Sequence, residues 1–370
     1  MVNRFKSLLA KRSNGVGIEL APERINVAKL HKQGQGFKLA ALFSVPIPEG
    51  IFEGGEIYDP PALAELIQST LAQNKIKAQR VATAVSGQQS IVRLIPLPAE
   101  LDDQELREMV LNHEAGLYLP FPREEADVDY QKLGYVVDED GIEKVNVLLV
   151  ATQKTVTDSY IETFRQAGLK VDVLEIRSFA LLRTIREQLR QFSSQEAAML
   201  VDIEFDNTEI AIVVDGVPQF TRTVPIGTYQ LQSALLRAMN LPASRDTQML
   251  QEITIPIAPL DERGEPNRLA DISPGMAAIL RVLGELADEM RRSRDFYINQ
   301  NENLEVVQIL LAGPGGGIRQ IDEFFKQRLN YPTVQIDPVA ALALEVDEEK
   351  VPLGQRPGLG IVLGLGLREV

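Results

Sequence analysis

The residues of this chain that could do chemistry are glycines and carboxylates. An apolar run ends at Ala312, then come Gly313, Pro314, Gly315, Gly316 and Gly317, and an amphipathic segment starts at Ile318. Strand, glycine loop and helix in that order is a common way to hold a phosphate, because the loop and the helix N-terminus offer backbone N–H groups. Two versions of that device are excluded by residue type. A Walker loop needs Lys and then Ser or Thr after its last glycine, and Ile318-Arg319 stand there. A dinucleotide fingerprint needs a glycine where Ile318 is; Asp337 lies about twenty residues on, as that fold wants, but only 33 residues follow it, too few to complete such a sheet. A second candidate set is a pair of acids near strand ends, Glu19 and Asp202. There is no cysteine and there are two histidines, His31 and His113. Thiolate chemistry, disulfides, multi-histidine metal sites and most Ser-His triads are thereby excluded. Any catalysis would run on carboxylates, lysine or a bound metal.

Both sets sit in a repeated frame. Alternating apolar residues predict strands at 15–20, 24–30 and 37–45, then a helix from Pro61 to about Asn74 with Asp59 as its cap and Leu63, Leu66, Ile67 and Leu71 as its buried stripe. The same order returns as a strand at 197–205, a hairpin at 209–224 turning at Asp215-Gly216, and a helix capped by Thr228 with Leu231, Leu235, Leu236 and Met239 inward. Glu19 and Asp202 occupy matching places 183 residues apart in a chain of 370. That spacing predicts an internal duplication. Each copy continues into β/α alternation. The first predicts a strand at 80–87, an acidic segment to about 150, a helix at 155–167 ended by Gly168, a strand at 170–176 and a helix at 179–190. The second predicts a Pro-rich surface excursion at 253–275, a long helix at 276–298 with Ile279, Leu283, Leu286, Met290 and Tyr297 on one face, and a strand at 333–336. The ending, GLGIVLGLGLREV, fits either a strand or a small-residue helix.

The length calls for two domains or more. Formal net charge is −14, with a pI near 4.8, which argues against a partner bound through a phosphate backbone, so no nucleic acid is expected. No apolar run reaches the ~18 residues of a membrane span. The N-terminal stretch carries Arg4, Lys6, Lys11 and Arg12 around Phe5, Leu8 and Leu9; it reads as a frayed tail or as a segment that grazes an anionic membrane. The expectation is a soluble intracellular protein.

Two βββα-βαβα halves resemble the actin-like superfamily, which holds sugar kinases, chaperone ATPases, actin and the cell-division protein FtsA. The fold class expected is therefore α/β and actin-like, with duplicated RNase H-like halves around a cleft. The resemblance implies ATP with Mg²⁺ between the halves, hairpin amides on the phosphates, a strand-end acid from each half, and the glycine loop against the adenosine. The residues it assigns to the cofactor are Glu19, Asp202, Asn207, Thr208, Gly313, Gly315, Gly316 and Gly317, with Asp202 also reaching the metal through Mg-ATP.

Several segments are similar to a narrower group. HEAGLYLPFPREEADVDYQKLG (113–134) resembles the E-A-x-x-Y-I-P-F-P…D-Y signature of the PilM family, actin-like proteins of type IV pilus assembly, and SGQQSIVRLIPLP (86–98), LADEMRRSRDFY (286–297) and IVLGLGLREV match in order. FtsA ends in an amphipathic membrane-binding tail that these last residues do not resemble. The family likeness implies an FtsA-type 1C insertion at 90–165 between 1A segments at 14–89 and 166–195. It further implies 2A at 196–250, 2B at 251–304, a return to 2A at 305–345 and to 1A at 346–370. It implies a cytoplasmic, non-enzymatic adaptor. Such an adaptor binds the short cytoplasmic N-terminus of the inner-membrane protein PilN and helps connect it to the pilus motor ATPases. Tyr118, Phe121 and Tyr130 are the candidate partner-binding residues. The residues alone offer a plainer reading of YLPFP, a helix stopped by proline with Phe121 packed inward, and they place His113 on a buried stripe with Met109, Val110 and Leu117.

The phosphate motifs depart from the family's G-I-D-I-G-S-S-S-x-K. Here the acid is Glu19, the turn glycine is Ala21, Pro22 has no N–H, Glu23 brings a carboxylate and Asn26 replaces the lysine. In the second hairpin Glu204 replaces a glycine after Asp202. Like charges at ~4 Å cost about 4 kcal/mol at an effective dielectric of 20. ATP binding is expected to be weakened or lost; an ATP-driven switch and a small-molecule kinase are the alternatives.

Overall fold

The computed structural model describes residues 15–34, 36–137, 140–258, 272–301 and 303–369. The basic N-terminal stretch and the middle of the Pro-rich excursion lie outside them. The chain divides into two compact units. The first is Met1–Val85, Ile161–Gln188 and Asp337–Val370; the second is Ser86–Tyr160 and Leu189–Ile336. Elements are numbered in chain order.

The first unit opens with β1 (Val16–Ala21), β2 (Arg24–Gln33) and β3 (Gly36–Pro46), an antiparallel run in which every residue of β1 is buried. After the small hairpin β4 (Phe52–Glu53) and β5 (Glu56–Ile57) comes α1 (Pro60–Gln73). Asp59 caps it as expected, accepting the Ala62 N–H at 3.0 Å. β6 (Arg80–Val85) then lies parallel to β1.

The chain next enters the second unit. β7 (Ser90–Pro98), β8 (Ala126–Val137) and β9 (Glu143–Gln153) form an antiparallel sheet of order β7-β9-β8. Across one face lie α2 (Asp103–Glu108), a π-helical stretch (Met109–Glu114) and α3 (Ala115–Tyr118). Their common core is Ile95, Leu97, Leu106, Val110, Ala115, Val145, Val147 and Leu149.

α4 (Lys154–Gln166) leads back to the first unit, and Gly168, at φ +79°, lets the chain leave it. β10 (Lys170–Ile176) adds in parallel to β6. The helix expected at 179–190 is two pieces, α5 (Arg177–Thr184) and α6 (Arg186–Leu189). The Thr184 hydroxyl donates back to the Leu181 carbonyl at 2.7 Å and Ile185 leaves helical geometry (φ −105°, ψ 14°), a bond that bends helices.

In the second unit β11 (Glu196–Ile203), β12 (Thr208–Val214) and β13 (Val217–Val224) repeat the antiparallel run. Asp215 and Gly216, at φ +50° and +74°, make the turn of the β12–β13 hairpin, as their types predict. α7 (Thr228–Ala238), α8 (Met249–Glu252) and α9 (Pro274–Ile298) follow, with the expected stripe of α9 buried in the unit's core. Thr228 is not the cap of α7. Gly227 precedes the first turn, and its N–H donates to Gln230 Oε1 at 2.8 Å. Met239 lies just past the end of α7 and is half exposed rather than inward. β14 (Glu305–Ala312), α10 (Gly313–Gly316), α11 (Ile321–Leu329) and β15 (Thr333–Gln335) complete the unit.

The chain ends in the first unit with α12 (Pro338–Ala341) and α13 (Gly360–Gly366). The ambiguous ending is thus a helix, and its glycines say why. A Cβ on Gly364 would lie 1.9 Å from the Ala180 carbonyl oxygen, and a Cβ on Gly17 of β1 would meet the Gly366 nitrogen at 2.5 Å. Only glycine lets α13 lie this close to α5 and β1.

The large sheets have orders β3-β2-β1-β6-β10 and β13-β12-β11-β14-β15. In both, the first strand is antiparallel to the second and parallel to the fourth. Identical order and sense make the duplication inferred from Glu19 and Asp202 a feature of the fold, and the fold is actin-like.

Candidate nucleotide and partner sites

Glu19 lies in the middle of β1, 2% exposed, opposite Asn26 of β2 in the register. Asn26 Nδ2 donates to Glu19 Oε2 at 3.1 Å, and Arg177 Nη2 donates to Glu19 Oε1 at 2.7 Å. Arg177 is the first residue of α5 and is buried. So each carboxylate oxygen of Glu19 has a partner from the chain itself, and its charge is met by a guanidinium. The turn between the strands is Pro22-Glu23, where Arg24 Nε donates to Glu23 Oε1 at 2.8 Å. Pro22 has no N–H, Glu23 brings a second carboxylate, and a Mg²⁺ at Glu19 would meet the like charge of the Arg177 guanidinium. The residues of this hairpin do not fit a Mg-nucleotide. Sequence reading missed Arg177. The only signal was general: an acid on a buried central strand calls for a partner, but which residue supplies it depends on the sheet order.

Asp202, near the end of β11, is brought against the glycine loop. A Cβ on Gly313 (φ +76°) would lie 2.7 Å from Asp202 Oδ1 and 2.4 Å from the Ile203 carbonyl oxygen, and one on Gly315 would lie 2.3 Å from Ile203 Cγ2. Gly313 and Gly315 are needed for this packing whatever else they do, Gly316 lies against the Leu311 backbone of β14, and Gly317 closes the short turn that they form. Asn207 and Thr208 lie across the hairpin. The Asn207 carbonyl accepts the Glu204 N–H at 2.9 Å, and the Thr208 hydroxyl donates to the Ile226 carbonyl at 2.6 Å. The first amides of α7 are also engaged: Thr228 and Tyr229 N–H donate to the Glu204 and Phe205 carbonyls, each at 2.8 Å. The N-terminus of α7 is therefore closed by the hairpin that precedes it. The structure brings together Asp202 and Gly313 from the sequence-derived set; Asn207 and Thr208 serve the hairpin's own closure.

In the three-stranded subdomain the residues of the partner set diverge. Tyr130 packs on the subdomain core, Phe121 is half-buried, and Tyr118 is at the surface. His113 is exposed and Leu117 is 76% exposed, which overturns the buried stripe expected for them. The cause is the π-helical stretch. With i→i+5 bonding each turn holds an extra residue, so the stripe that begins inward at Val110 continues at Ala115 instead of at His113 and Leu117. Arg123 fixes the turn that follows, its Nε donating to the Leu111 carbonyl at 2.6 Å and its Nη1 to the Ala126 carbonyl at 3.1 Å.

Comparison with known proteins settles the family. The family described as "Type IV pilus assembly protein PilM" matches residues 17–256, more than half of the chain. The chain belongs to the PilM family. It is similar to a chain of the solved "PilM-PilN type IV pilus biogenesis complex", with TM-score 0.80 and 25% identity over 97% of this chain and 99% of that one. It shares a fold with the ethanolamine utilization protein EutJ from Carboxydothermus hydrogenoformans, with TM-score 0.53 and 13% identity over 95% and 89% of the two chains. Among the described residues, no helix is long and apolar enough to cross a membrane.

Proposed function

We propose that this PilM-family chain is a cytoplasmic, non-enzymatic adaptor of type IV pilus assembly. It binds the short cytoplasmic N-terminal segment of a PilN-type inner-membrane protein and links that protein to the motor ATPases. The observation that carries the reading is the match, over nearly the full length of both chains, to a chain of a PilM-PilN complex. Titration calorimetry with a synthetic peptide of the partner's cytoplasmic N-terminus tests it. Saturable one-site binding is expected; no heat of binding sinks the adaptor reading.

ATP binding in this reading is weakened or lost. Its support is the first hairpin, where Arg177 and Asn26 already hold Glu19. The rival reading, an ATP-binding switch, draws on the contact between Gly313 and Asp202. It requires Mg-ATP affinity in the micromolar range that Asp202→Ala abolishes, and a flat titration at millimolar nucleotide excludes it.

A further inference from the structure

We propose that Arg177 is the permanent counter-ion of the first hairpin, taking the charge-neutralising place that a divalent cation would otherwise have beside Glu19. The inference rests on the reading that ATP binding has been weakened, and supplies a residue that explains it.

Two observations converge within the first unit. The Arg177–Glu19 pair is sealed, with side chains 6% and 3% exposed and a 2.7 Å separation. The other carboxylate oxygen is held by Asn26, the register partner of Glu19. Two of the departures from the family motif on this strand pair, aspartate to Glu19 and lysine to Asn26, are thus accounted for by one contact set. An aspartate would hold its carboxylate one methylene short of Arg177, and a lysine at 26 would put a second cation beside a carboxylate that already has one.

A cation coordinated by Glu19 would need its oxygens at about 2 Å and would stand against the like charge of a guanidinium already in contact in a buried site. A guanidinium cannot be neutralised at any pH a protein tolerates, so it cannot step aside by losing its charge. Nor can it leave the pair without removing the positive charge that faces a buried carboxylate at 2.7 Å. The arrangement is therefore fixed where a nucleotide-bound metal would come and go. Arg177 acts as a positioning residue: it holds Glu19, and through Glu19 the β1–β2 hairpin, in one state.

The test uses the full chain, with Mn²⁺ as probe because free Mn²⁺ is read directly by its paramagnetic signal. Wild type, Glu19→Gln, Arg177→Met, Arg177→Lys and the Glu19→Gln/Arg177→Met double variant are titrated with Mn²⁺ alone and with Mn-ATP, and their thermal midpoints are recorded. The expected result has three parts. Wild type shows no Mn²⁺ or Mn-ATP binding that Glu19→Gln removes. Arg177→Met binds Mn²⁺ at least tenfold more tightly than wild type, and the double variant loses the gain. The midpoint losses of the single variants exceed that of the double variant when added. Arg177→Lys, which keeps the charge but not the fork, falls between wild type and Arg177→Met and serves if the latter does not fold. Glu19-dependent Mn-ATP binding by wild type overturns the proposal, as does the absence of any gain in both Arg177 variants. The partner-peptide titration is run on the same wild-type sample. Its failure removes the adaptor reading and leaves the Arg177 result standing, and the reverse also holds.

Discussion

Gly313 and Asp202 are locked together: a Cβ at Gly313 would stand 2.7 Å from Asp202 Oδ1 and 2.4 Å from the Ile203 carbonyl oxygen, at a φ of +76°. Both the backbone conformation and the space demand glycine. Gly313→Ala is expected to destabilise the chain by roughly 2–4 kcal/mol, from left-handed strain plus the clash, measured by urea unfolding. A loss below half a kcal/mol would mean that the loop does not sit on β11 in this way.

The C-terminal helix offers a paired comparison. At Gly364 an added Cβ meets the Ala180 carbonyl oxygen at 1.9 Å, backbone that cannot turn away, whereas at Gly366 it meets Leu30 Cδ1 at 3.3 Å. Gly364→Ala should cost about 3 kcal/mol or more, and Gly366→Ala less than about 1 kcal/mol, since a leucine end can give and alanine favours the helix. Equal losses would contradict the packing of α13 on α5.

Glu175 of β10 ties that helix down by charge. Arg183 reaches its two oxygens at 2.8 and 2.6 Å and also donates to the Gly364 carbonyl at 2.8 Å, while Arg368 Nε reaches Glu175 at 3.1 Å. Arg183→Ala leaves a buried carboxylate with one partner and is expected to cost about 3 kcal/mol. Arg368 is partly exposed, so Arg368→Ala should cost no more than about 1 kcal/mol. The order of the two midpoints in a denaturant series checks this.

Tyr297, at the end of α9 beside Phe220, gives a pH signature. Burial raises its phenol from 10.0 to about 12. The unfolded phenol ionises near its ordinary value, so the contribution of the buried group is intact below pH 10 and is lost as pH rises toward about 12. Wild type should lose stability faster over that interval than Tyr297→Phe, read as thermal midpoint against pH. Parallel curves would place the phenol in water.

The π-helical stretch is tested at the surface. Leu117 is 76% exposed and Leu106 is 1% exposed. Leu117→Ala should change stability by less than about 0.5 kcal/mol, and Leu106→Ala should cost about 2–5 kcal/mol. A large loss at Leu117 would restore the unbroken helical stripe.

The sequence was most legible where a residue type serves local geometry. Asp59 capping α1, Asp215-Gly216 turning β12 into β13, Gly168 ending α4 and the stripe of α9 each follow from a rule that acts within a few residues. The duplication was legible because Glu19 and Asp202 mark equal places in equal patterns. Three features were not legible. His113 and Leu117 were assigned inward because helical periodicity assumes 3.6 residues per turn, and nothing in the residue types announces a π-turn. Thr228 looked like a cap, but Gly227 takes that place, with its N–H on Gln230, because a Cβ there would strike the Glu204 and Phe205 carbonyls at 2.5 Å. Arg177 lies 158 residues from Glu19, and only the sheet order, which places β10 two strands from β1, brings them together.

One measurement tests the central claim most directly. The peptide corresponding to the cytoplasmic N-terminus of the PilN-type partner is titrated into the full chain by calorimetry, with and without millimolar Mg-ATP. The expected result is saturable binding at one site with the same affinity in both buffers, since a chain whose first hairpin carries its own counter-ion has no nucleotide-bound state to couple to the peptide. No binding in either buffer contradicts the adaptor function, and an affinity that changes with Mg-ATP contradicts the loss of the nucleotide cycle.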